Sequence, residues 1–319
     1  MEHIEAATTP RPQRRPAAKS RVWLDLRRDK YLYLLALPGL LFFLVFKYVP
    51  MFNVIIAFQN YSPFMGIMKS PWVGFMHFER FFANPDFMLL FRNTMAINLL
   101  NLALFFPLPI VVSLMLNEVR STIYKRLVQS IVYMPHFLSW VIIAGLTFLL
   151  FAKGQGVVNK MLESAGFARI DFLTSPNLFW IFVTGQSIWK EAGWGTIVFL
   201  AAIASVDPQL YEAARMDGAG RLRQMWHVTL PAIRSVIVIL LILRLGHIMD
   251  VGFEQIFLMY NGAVSKVAEV FDTYVYRVGI QQAQFSYSTA AGLFKSVVGL
   301  ALVLISNKLA KKFGEEGVF

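Results

Sequence analysis

The sequence predicts an all-α protein that crosses a membrane six times. Of its 319 residues, 57% are hydrophobic and only 15% are charged, and the mean hydropathy is +0.55. Soluble domains carry charge on about a quarter of their residues, so this balance excludes an ordinary soluble fold. The apolar residues form long continuous runs, whereas a membrane β-barrel shows alternating segments of about ten residues.

Six apolar segments are each near or above the ~20 residues that a helix needs to cross about 30 Å of hydrocarbon. The first segment is overlong and contains Pro38, Lys47 and Pro50, which predicts a tilt or a kink. The predicted spans are 31–58, 91–116, 129–152, 178–204, 232–258 and 285–307.

Lys and Arg predict the orientation of these spans. Eighteen of them fall on the side of the N-terminus and eight on the opposite side. The positive-inside rule therefore places both termini in the cytoplasm. We predict a basic cytoplasmic leader at 1–30, a transmembrane domain at 31–310 and a cytoplasmic tail at 311–319. The surplus charge would meet anionic membrane lipid, and since no nucleic-acid-reading module accompanies it, nucleic acid is not a predicted partner.

The sequence lacks the groups that several chemistries require. It has no Cys, which excludes disulfides and thiolate metal sites. It has no G-x-x-x-x-G-K-[ST] run to hold a nucleotide phosphate and no H-E-x-x-H zinc motif, and its five His are scattered. We therefore predict no catalytic residue, no metal site and no cofactor in this chain, and no ATPase activity of its own.

The most patterned segment is the polar loop at 205–231, between the fourth and fifth spans. Asp207 followed by Pro208 predicts an N-cap with proline in the first turn of a helix, and Gly218 can end that helix. Pro231 is predicted to mark the re-entry into the membrane. A connector of this length in a compact bundle is usually functional or structured.

Two amphipathic faces are predicted within this loop. The first carries two alanines, which permit a close approach by another surface, and consists of Leu210, Ala213, Ala214 and Asp217. The second consists of Leu222, Met225, Trp226 and Thr229. From periodicity alone, the loop either stabilises the bundle as a pair of interfacial helices or docks a cytoplasmic partner.

A resemblance favours the docking role. Glu212-Ala213-Ala214, then Gly218, then Leu230-Pro231 resembles the EAA signature of permease subunits of binding-protein-dependent ABC importers, with Val228 where Ile is usual. The likeness extends over 31–319 and is to oligosaccharide permeases of the alginate and pectin type. The stretches that carry it are Arg92-Asn93-Thr94, Asn117-Glu118-Val119-Arg120, Phe271-Asp272-Thr273-Tyr274-Val275-Tyr276 and Gly292-Leu293-Phe294-Lys295-Ser296-Val297-Val298-Gly299.

The resemblance implies a type I ABC importer permease fold with a cytoplasmic coupling helix, in a bacterial cytoplasmic membrane. The implied coupling residues are Glu212, Ala213, Ala214, Asp217, Gly218, Leu230 and Pro231. The implied partners are a second homologous permease subunit in a heterodimer, a cytoplasmic ATPase dimer that binds ATP and Mg²⁺, and an extracytoplasmic solute-binding protein. The implied function is the import of an oligosaccharide, and whether it is acidic, as a uronate-containing fragment of alginate or pectin would be, stays open.

Charged residues inside the predicted spans have two interpretations. They could pair with each other and clamp helices four to six together, or they could line a polar path for a sugar, with tryptophans stacking on its rings. Along the fifth span, several of them fall within an arc of about 120°, which predicts one polar face. The candidate path residues are Trp189, Lys190, Glu191, Trp194, Arg244, Asp250, Glu254 and Lys295.

Two other classes of membrane protein, an ion-coupled carrier and a membrane enzyme, fit the sequence less well than an importer permease. A secondary, ion-coupled carrier could use the same intramembrane charges, but such folds show paired inverted halves, and the sequence shows no such symmetry. A membrane enzyme would need a convergent catalytic set, and none stands at a suitable spacing.

Overall fold

The computed structural model describes residues 28–314 and Gly317. Every regular element among them is a helix, apart from one isolated β-bridge between Gln59 and Trp72. The predicted leader at 1–30 lies almost entirely outside the described residues. The chain divides into two compact units, Met1–Ile55 and Ile56–Phe319.

The first unit contains most of the first apolar segment, which ends at Phe58. Its helix α1 (Lys30–Phe43) includes Pro38 and continues into a π-helical turn that contains Lys47. A short α-helical piece and a 3-10 helix (Phe52–Phe58) follow, and the whole run is apolar and long enough to cross a membrane. The predicted irregularity is therefore local, in the π-helical turn Leu44–Tyr48 and at Val49–Met51.

The second unit holds the remaining helices that the structure describes. The helices that are numbered here, in chain order, are α2 (Met76–Phe82), α3 (Phe87–Leu100), α4 (Pro107–Glu118), α5 (Thr122–Tyr133), α6 (Trp140–Phe151), α7 (Val157–Ser164), α8 (Pro176–Ala204), α9 (Pro208–Met216), α10 (Arg221–Gln224), α11 (Arg234–Gly246), α12 (Phe253–Met259), α13 (Phe271–Tyr276) and α14 (Phe285–Lys312). Short α-helical pieces lie at Gly66–Lys69, Leu230–Ala232 and Ser265–Ala268, a 3-10 helix at Met134–Phe137, and π-helical turns at Asn101–Phe105, Met225–Thr229 and Arg277–Gln281.

Three runs are long and apolar enough to cross a membrane as single helices, and three more qualify only as bent pairs. The single runs are Lys30–Phe58, Phe87–Glu118 and Phe285–Lys312. The six predicted spans agree with this set when each bent pair counts as one span. The last helix continues to Lys312, past the predicted domain boundary at 310.

The third predicted span is wrong as a continuous helix. It divides into the run Thr122–Phe137, which consists of α5 and the 3-10 helix Met134–Phe137, and helix α6, and the two are bent by 103° where Leu138 and Ser139 join them. The helical run ends at Leu138, whose φ of −80° and ψ of 137° are extended, and Pro135 in the last helical turn lacks an N–H. Ser139 then starts α6 as an N-cap, since its hydroxyl accepts a hydrogen bond of 3.3 Å from the Ile142 N–H.

The fifth predicted span is also interrupted. Helix α11 ends at Gly246, and α12 begins after Gly252, whose φ of +95° is outside the helical range. The predicted polar face on a continuous helix is therefore wrong, since Glu254 belongs to a different helix from Arg244. Before α11, the chain bends by 59° between Ala232 and Arg234, just after Pro231.

Small residues allow the long helices to pack closely. A Cβ on Gly299 of α14 would lie 2.5 Å from the carbonyl oxygen of Gly246 on α11, so these two backbones touch. On α8, a Cβ on Gly195 would lie 2.9 Å from the ring of Pro109 on α4. Such contacts drive association inside a membrane, where burial of apolar surface contributes little between helices.

Three of the stretches that carried the family resemblance meet in space. Asn93 Nδ2 donates to the carbonyl oxygen of Glu269 at 2.9 Å, and Thr94 Oγ1 accepts from the Phe271 N–H at 3.3 Å. Asp272 binds Lys295 on α14. Asn93 and Thr94 are completely buried, and their hydrogen bonds fix the segment before α13 against α3. The ion pair of Asp272 and Lys295 fixes α13 against α14.

Candidate functional site

The loop at 205–231 begins with the predicted helix cap. Asp207 Oδ1 accepts a hydrogen bond of 2.9 Å from the Gln209 N–H, and Pro208 occupies the first turn of α9. The cap satisfies one of the backbone donors that a helix start leaves without a partner. This helix is bent by 71° from α8, so the chain turns sharply as it leaves the long helix.

The end of α9 is also as predicted, at Gly218. This glycine has a φ of +74°, in the left-handed region that residues with a Cβ rarely adopt. The Ala219 N–H donates to the Ala214 carbonyl at 2.9 Å and the Gly218 N–H to the Arg215 carbonyl at 3.0 Å. Together these bonds form a Schellman motif, which closes the helix firmly.

Side-chain bonds hold α9 against the helix that follows it. The Tyr211 hydroxyl lies 3.0 Å from Thr229 Oγ1, and Thr229 is buried. Gln224 Nε2 donates to the Ala219 carbonyl at 2.7 Å and so braces the turn between the two helices. The segment is therefore a helical hairpin with its own internal bonds.

The predicted coupling residues do not share one face of α9. At 100° per residue, Ala213 and Ala214 lie on one side together with Leu210, which is half exposed, and no residue of α9 is buried. Glu212 lies on the other side, where it lines a polar cavity of about 660 Å³ together with Arg215. The helix thus presents an uncovered face of small and apolar residues and a charged face.

The polar cavity is also lined by residues 117–120, whose position the sequence analysis did not predict. Residues 117–120, at the end of α4, form its opposite wall. Across it, Arg221 Nε lies 3.8 Å from Glu118 Oε2. This stretch carried part of the family resemblance, and the structure now places it beside the hairpin.

Leu230 and Pro231 lie at the root of the hairpin. Leu230 packs against the buried cluster of Leu114, Phe199, Ile203 and Ile233. Leu230 therefore connects the loop to the membrane helices, whereas Pro231 beside it is exposed.

Among the candidate path residues, Lys190 has a structural role. Its side chain is 9% exposed, and its Nζ donates to the carbonyl oxygens of His136 at 2.7 Å and Leu138 at 2.9 Å. These carbonyls belong to the break between α5 and α6. Backbone carbonyls outside a helix need hydrogen-bond donors when they lie within a membrane, and Lys190 supplies the donors for these two carbonyls.

Glu191 and Trp194 lie at the same break, whereas Trp189 lines a cavity together with residues of α6. Glu191 Oε2 lies 2.7 Å from His136 Nδ1, and the imidazole ring stacks on Trp194 with centroids 4.7 Å apart. Trp189 and Trp194 are each about half exposed, at 49% and 50%. The break therefore presents an aromatic and polar surface, which includes His136, a residue that the sequence analysis did not single out.

Lys295 forms a second, separate ionic cluster. Its Nζ lies 2.7 Å from Asp250 Oδ1 and also binds Asp272. Asp272 lies outside the predicted spans and was not counted among the intramembrane charges. The predicted pairing is thus present between the fifth and sixth spans, where Lys295 binds Asp250, whereas Lys190 and Glu191 contact the third span and do not pair with the fifth or sixth.

Arg244 and Glu254 differ from the other charged candidates. Among the residues that the structure describes, neither makes an ion pair. Arg244 lies over the ring of Phe105, 5.6 Å from its centroid. Glu254 is exposed in the first turn of α12, where a carboxylate is favoured by the helix dipole.

Sequence reasoning missed a buried amide network between α6, α8 and α12. Gln186 Nε2 donates to Thr147 Oγ1 at 2.7 Å, and Gln255 Nε2 donates to Gln186 Oε1 at 3.1 Å. The available signal was the presence of amides within apolar runs, where they usually bond across helices. Over 28–314 and Gly317, no three His, Asp or Glu residues stand close enough together to hold a metal ion.

Comparisons with known proteins agree with these features. A family described as "Binding-protein-dependent transport system inner membrane component" matches residues 105–314. The polygalacturonan/rhamnogalacturonan transport system permease protein YteP of Bacillus subtilis (strain 168) is 55% identical, over 94% of each chain. Protein LplB of the same strain is also 55% identical, over 95% of this chain and 96% of its own.

A solved structure is similar throughout. It is the crystal structure of a bacterial alginate ABC transporter in complex with an alginate pentasaccharide-bound periplasmic protein. One of its chains superposes with a TM-score of 0.85 and 43% identity, over 93% of this chain and 100% of that chain. These matches confirm the fold class and the family resemblance that the sequence predicted.

Proposed function

This chain belongs to the family of binding-protein-dependent transport system inner membrane components, and from that premise we propose that it is the membrane permease subunit of an ATP-driven oligosaccharide importer. The observation that carries the proposal is the hairpin at 205–231. Its first helix, α9, is capped at both ends, braced by Tyr211 and uncovered on the face of its two alanines. A short rigid helix of this kind can transmit force from a partner to the long helices that flank it.

The partner of this hairpin is a separate ATPase dimer in the cytoplasm, which binds ATP and Mg²⁺. The uncovered face with Ala213, Ala214 and Asp217 fits closely into a groove, and the charged face with Glu212 orients the contact. Closure of the ATPase dimer would move α9 as a rigid body, and the bend at 204–208 would pass that movement to α8.

The transported solute is an oligosaccharide of the pectin or alginate type. The support is the chemistry of the polymers that two similar proteins are described as handling. One, at 55% identity, is described as a polygalacturonan/rhamnogalacturonan permease, and the other, at 43% identity, belongs to an alginate transporter. Both are polymers of uronic acids. Trp194, half exposed beside the break at 134–139, and Trp189, half exposed beside α6, offer flat faces on which pyranose rings can stack.

The pore is completed by a second, homologous permease subunit, and an extracytoplasmic binding protein delivers the sugar. The distribution of Lys and Arg orients the chain with both termini in the cytoplasm, which places the hairpin on the ATPase side.

The proposal can be tested by disulfide cross-linking, because the native chain has no Cys. Single cysteines at Ala213→Cys and, as a control, at the exposed Lys308→Cys would be combined with cysteines in the groove of the co-purified ATPase. We expect efficient cross-linking from Ala213→Cys only, together with ATP-dependent sugar uptake by the unmodified assembly in proteoliposomes. Uptake that an ion gradient drives in the absence of any ATPase would refute the proposal.

Orientation is tested with the same reagents. A membrane-impermeant maleimide should label Asp217→Cys from the cytoplasmic side and Lys160→Cys from the opposite side. Labelling of both from one side would contradict the predicted topology.

A further inference from the structure

Three cations lie in the interior of the fourth, fifth and sixth predicted spans, and other groups of the chain bind two of them. Lys190 donates to two backbone carbonyls and lies 3.3 Å from Glu191. Lys295 binds both Asp250 and Asp272. Among the residues that the structure describes, Arg244 is the one of these three that contacts no carboxylate. Its guanidinium lies over the ring of Phe105.

Arg244 lies deep in the membrane region. It follows the start of α11 by about ten residues, which is ~15 Å at 1.5 Å per residue, or about half of a bilayer core. Phe105, which faces it, lies in the π-helical turn in the middle of the run Phe87–Glu118. Lipid phosphates lie at the membrane surface, so they are remote from this guanidinium.

The guanidinium lines a mostly apolar cavity of about 290 Å³. Other residues that line it are Phe105, Pro109, Gly195, Leu240 and His247, and none of its lining residues is acidic. The volume is close to the lower end of the ~300–1,000 Å³ that is usual for small-molecule sites. Gly195 of α8 lines this cavity together with Arg244 of α11, and Trp194 directly precedes Gly195. An aromatic side chain is therefore adjacent in sequence to the wall of the cavity that contains the guanidinium.

The ring of Phe105 is a weak partner for such a charge. Placing an arginine in the interior of a membrane span costs more free energy than a single cation–π contact usually supplies. A charge that the protein leaves in this state usually has a functional partner. A carboxylate suits a guanidinium best, because two parallel hydrogen bonds can form between the planar groups.

We propose that Arg244 is the residue that receives the carboxylate of a uronic acid unit during transport, and that it makes the pore selective for acidic oligosaccharides. This inference rests on the proposed function and names the substrate class of that same pore. Lys190 and Lys295 are excluded from the role, because their donors already have partners.

The test uses the complete assembly of both permease subunits, the ATPase dimer and the binding protein in proteoliposomes. The probes are trigalacturonate and its methyl ester, which has the same length and no charge. We expect Arg244→Gln to lower the ratio of acid to ester uptake at least tenfold and Arg244→Lys to lower it less. The control Arg126→Gln, at an exposed position on α5, should leave the ratio unchanged. Equal losses for both sugars in Arg244→Gln would overturn the inference.

A second readout measures occupancy without turnover. A cysteine at Leu243→Cys, beside Arg244, is labelled with a maleimide in the presence or absence of binding protein loaded with trigalacturonate. The sugar should slow labelling at least threefold when Arg244 is present and should not slow it in Arg244→Gln. Equal protection in both backgrounds would overturn the inference, as would loss of the permease heterodimer in Arg244→Gln, which would indicate a carboxylate of the second subunit as the partner.

The two levels of the proposal fail differently. If the unaltered assembly accumulates neither sugar with ATP, the proposed function fails. If it imports trigalacturonate and Arg244→Gln does so equally well, only the role of Arg244 fails.

Discussion

Gly193 of α8 meets the carbonyl group of Val132 at the end of α5 with no room for a side chain between them. A Cβ built on Gly193 would lie 2.7 Å from the Val132 carbonyl carbon and 3.0 Å from the Cα of Tyr133. This contact presses the end of α5 onto α8 within one turn of Lys190. It therefore fixes the place where the third span breaks and where its carbonyls find their donor.

The substitution Gly193→Ala should separate these two helices. Overpacking of this kind costs about 1–3 kcal/mol, so we expect a lower melting temperature of the purified assembly and weaker sugar uptake. The matched control is Gly185→Ala on the same helix, where a Cβ would meet nothing within 4 Å. Equal melting temperatures for the two variants would show that the contact is not tight in solution.

The substitution Lys190→Met should destabilise the break between α5 and α6. It keeps the length of the side chain but leaves the carbonyls of His136 and Leu138 without their donor, and each unsatisfied buried group costs about 1–3 kcal/mol. Thermal unfolding in detergent measures the effect. Lys160→Met, at an exposed position on α7, is the control, and a loss as large there as at Lys190 would count against the role assigned to the break.

The two aspartates around Lys295 should differ in their contribution to stability. Asp272 is 17% exposed and also accepts a hydrogen bond from the Val251 N–H, whereas Asp250 is 53% exposed. Removing one partner of a buried pair costs about 3–5 kcal/mol, and an exposed pair contributes about 0–1 kcal/mol. We expect Asp272→Asn to lower the melting temperature clearly and Asp250→Asn to change it little. The reverse order would contradict the burial seen here.

The substitution Gly218→Ala should weaken the hairpin through backbone strain alone. An L-residue in the left-handed region costs about 1–2 kcal/mol, and a Cβ at this position would meet nothing within 4 Å. Gly220→Ala is the matched control, since its φ of −67° suits any residue and its surroundings are also open. The readout is the ratio of sugar imported to ATP hydrolysed, which should fall in Gly218→Ala only. Equal ratios in both variants would mean that the Schellman turn is not needed for coupling.

The sequence determined the features that depend on neighbouring residues. The number of apolar segments follows from hydropathy, and the limits of α9 follow from Asp207, Pro208 and Gly218, whose effects act within one helical turn. The EAA signature identified the family for the same reason, because its residues lie within one short loop.

Only the tertiary structure decided how the intramembrane residues are used. The third and fifth spans read as continuous apolar runs, and composition alone does not reveal that Lys190, 55 positions after Pro135, satisfies the carbonyls of a break. Pairing between charges depends on which helices touch, so the sequence could not assign Lys295 to Asp272 or separate Arg244 from the other cations. In a membrane the hydrophobic pattern is satisfied by lipid on every side, and glycine contacts such as Gly193 with Val132 set the packing instead.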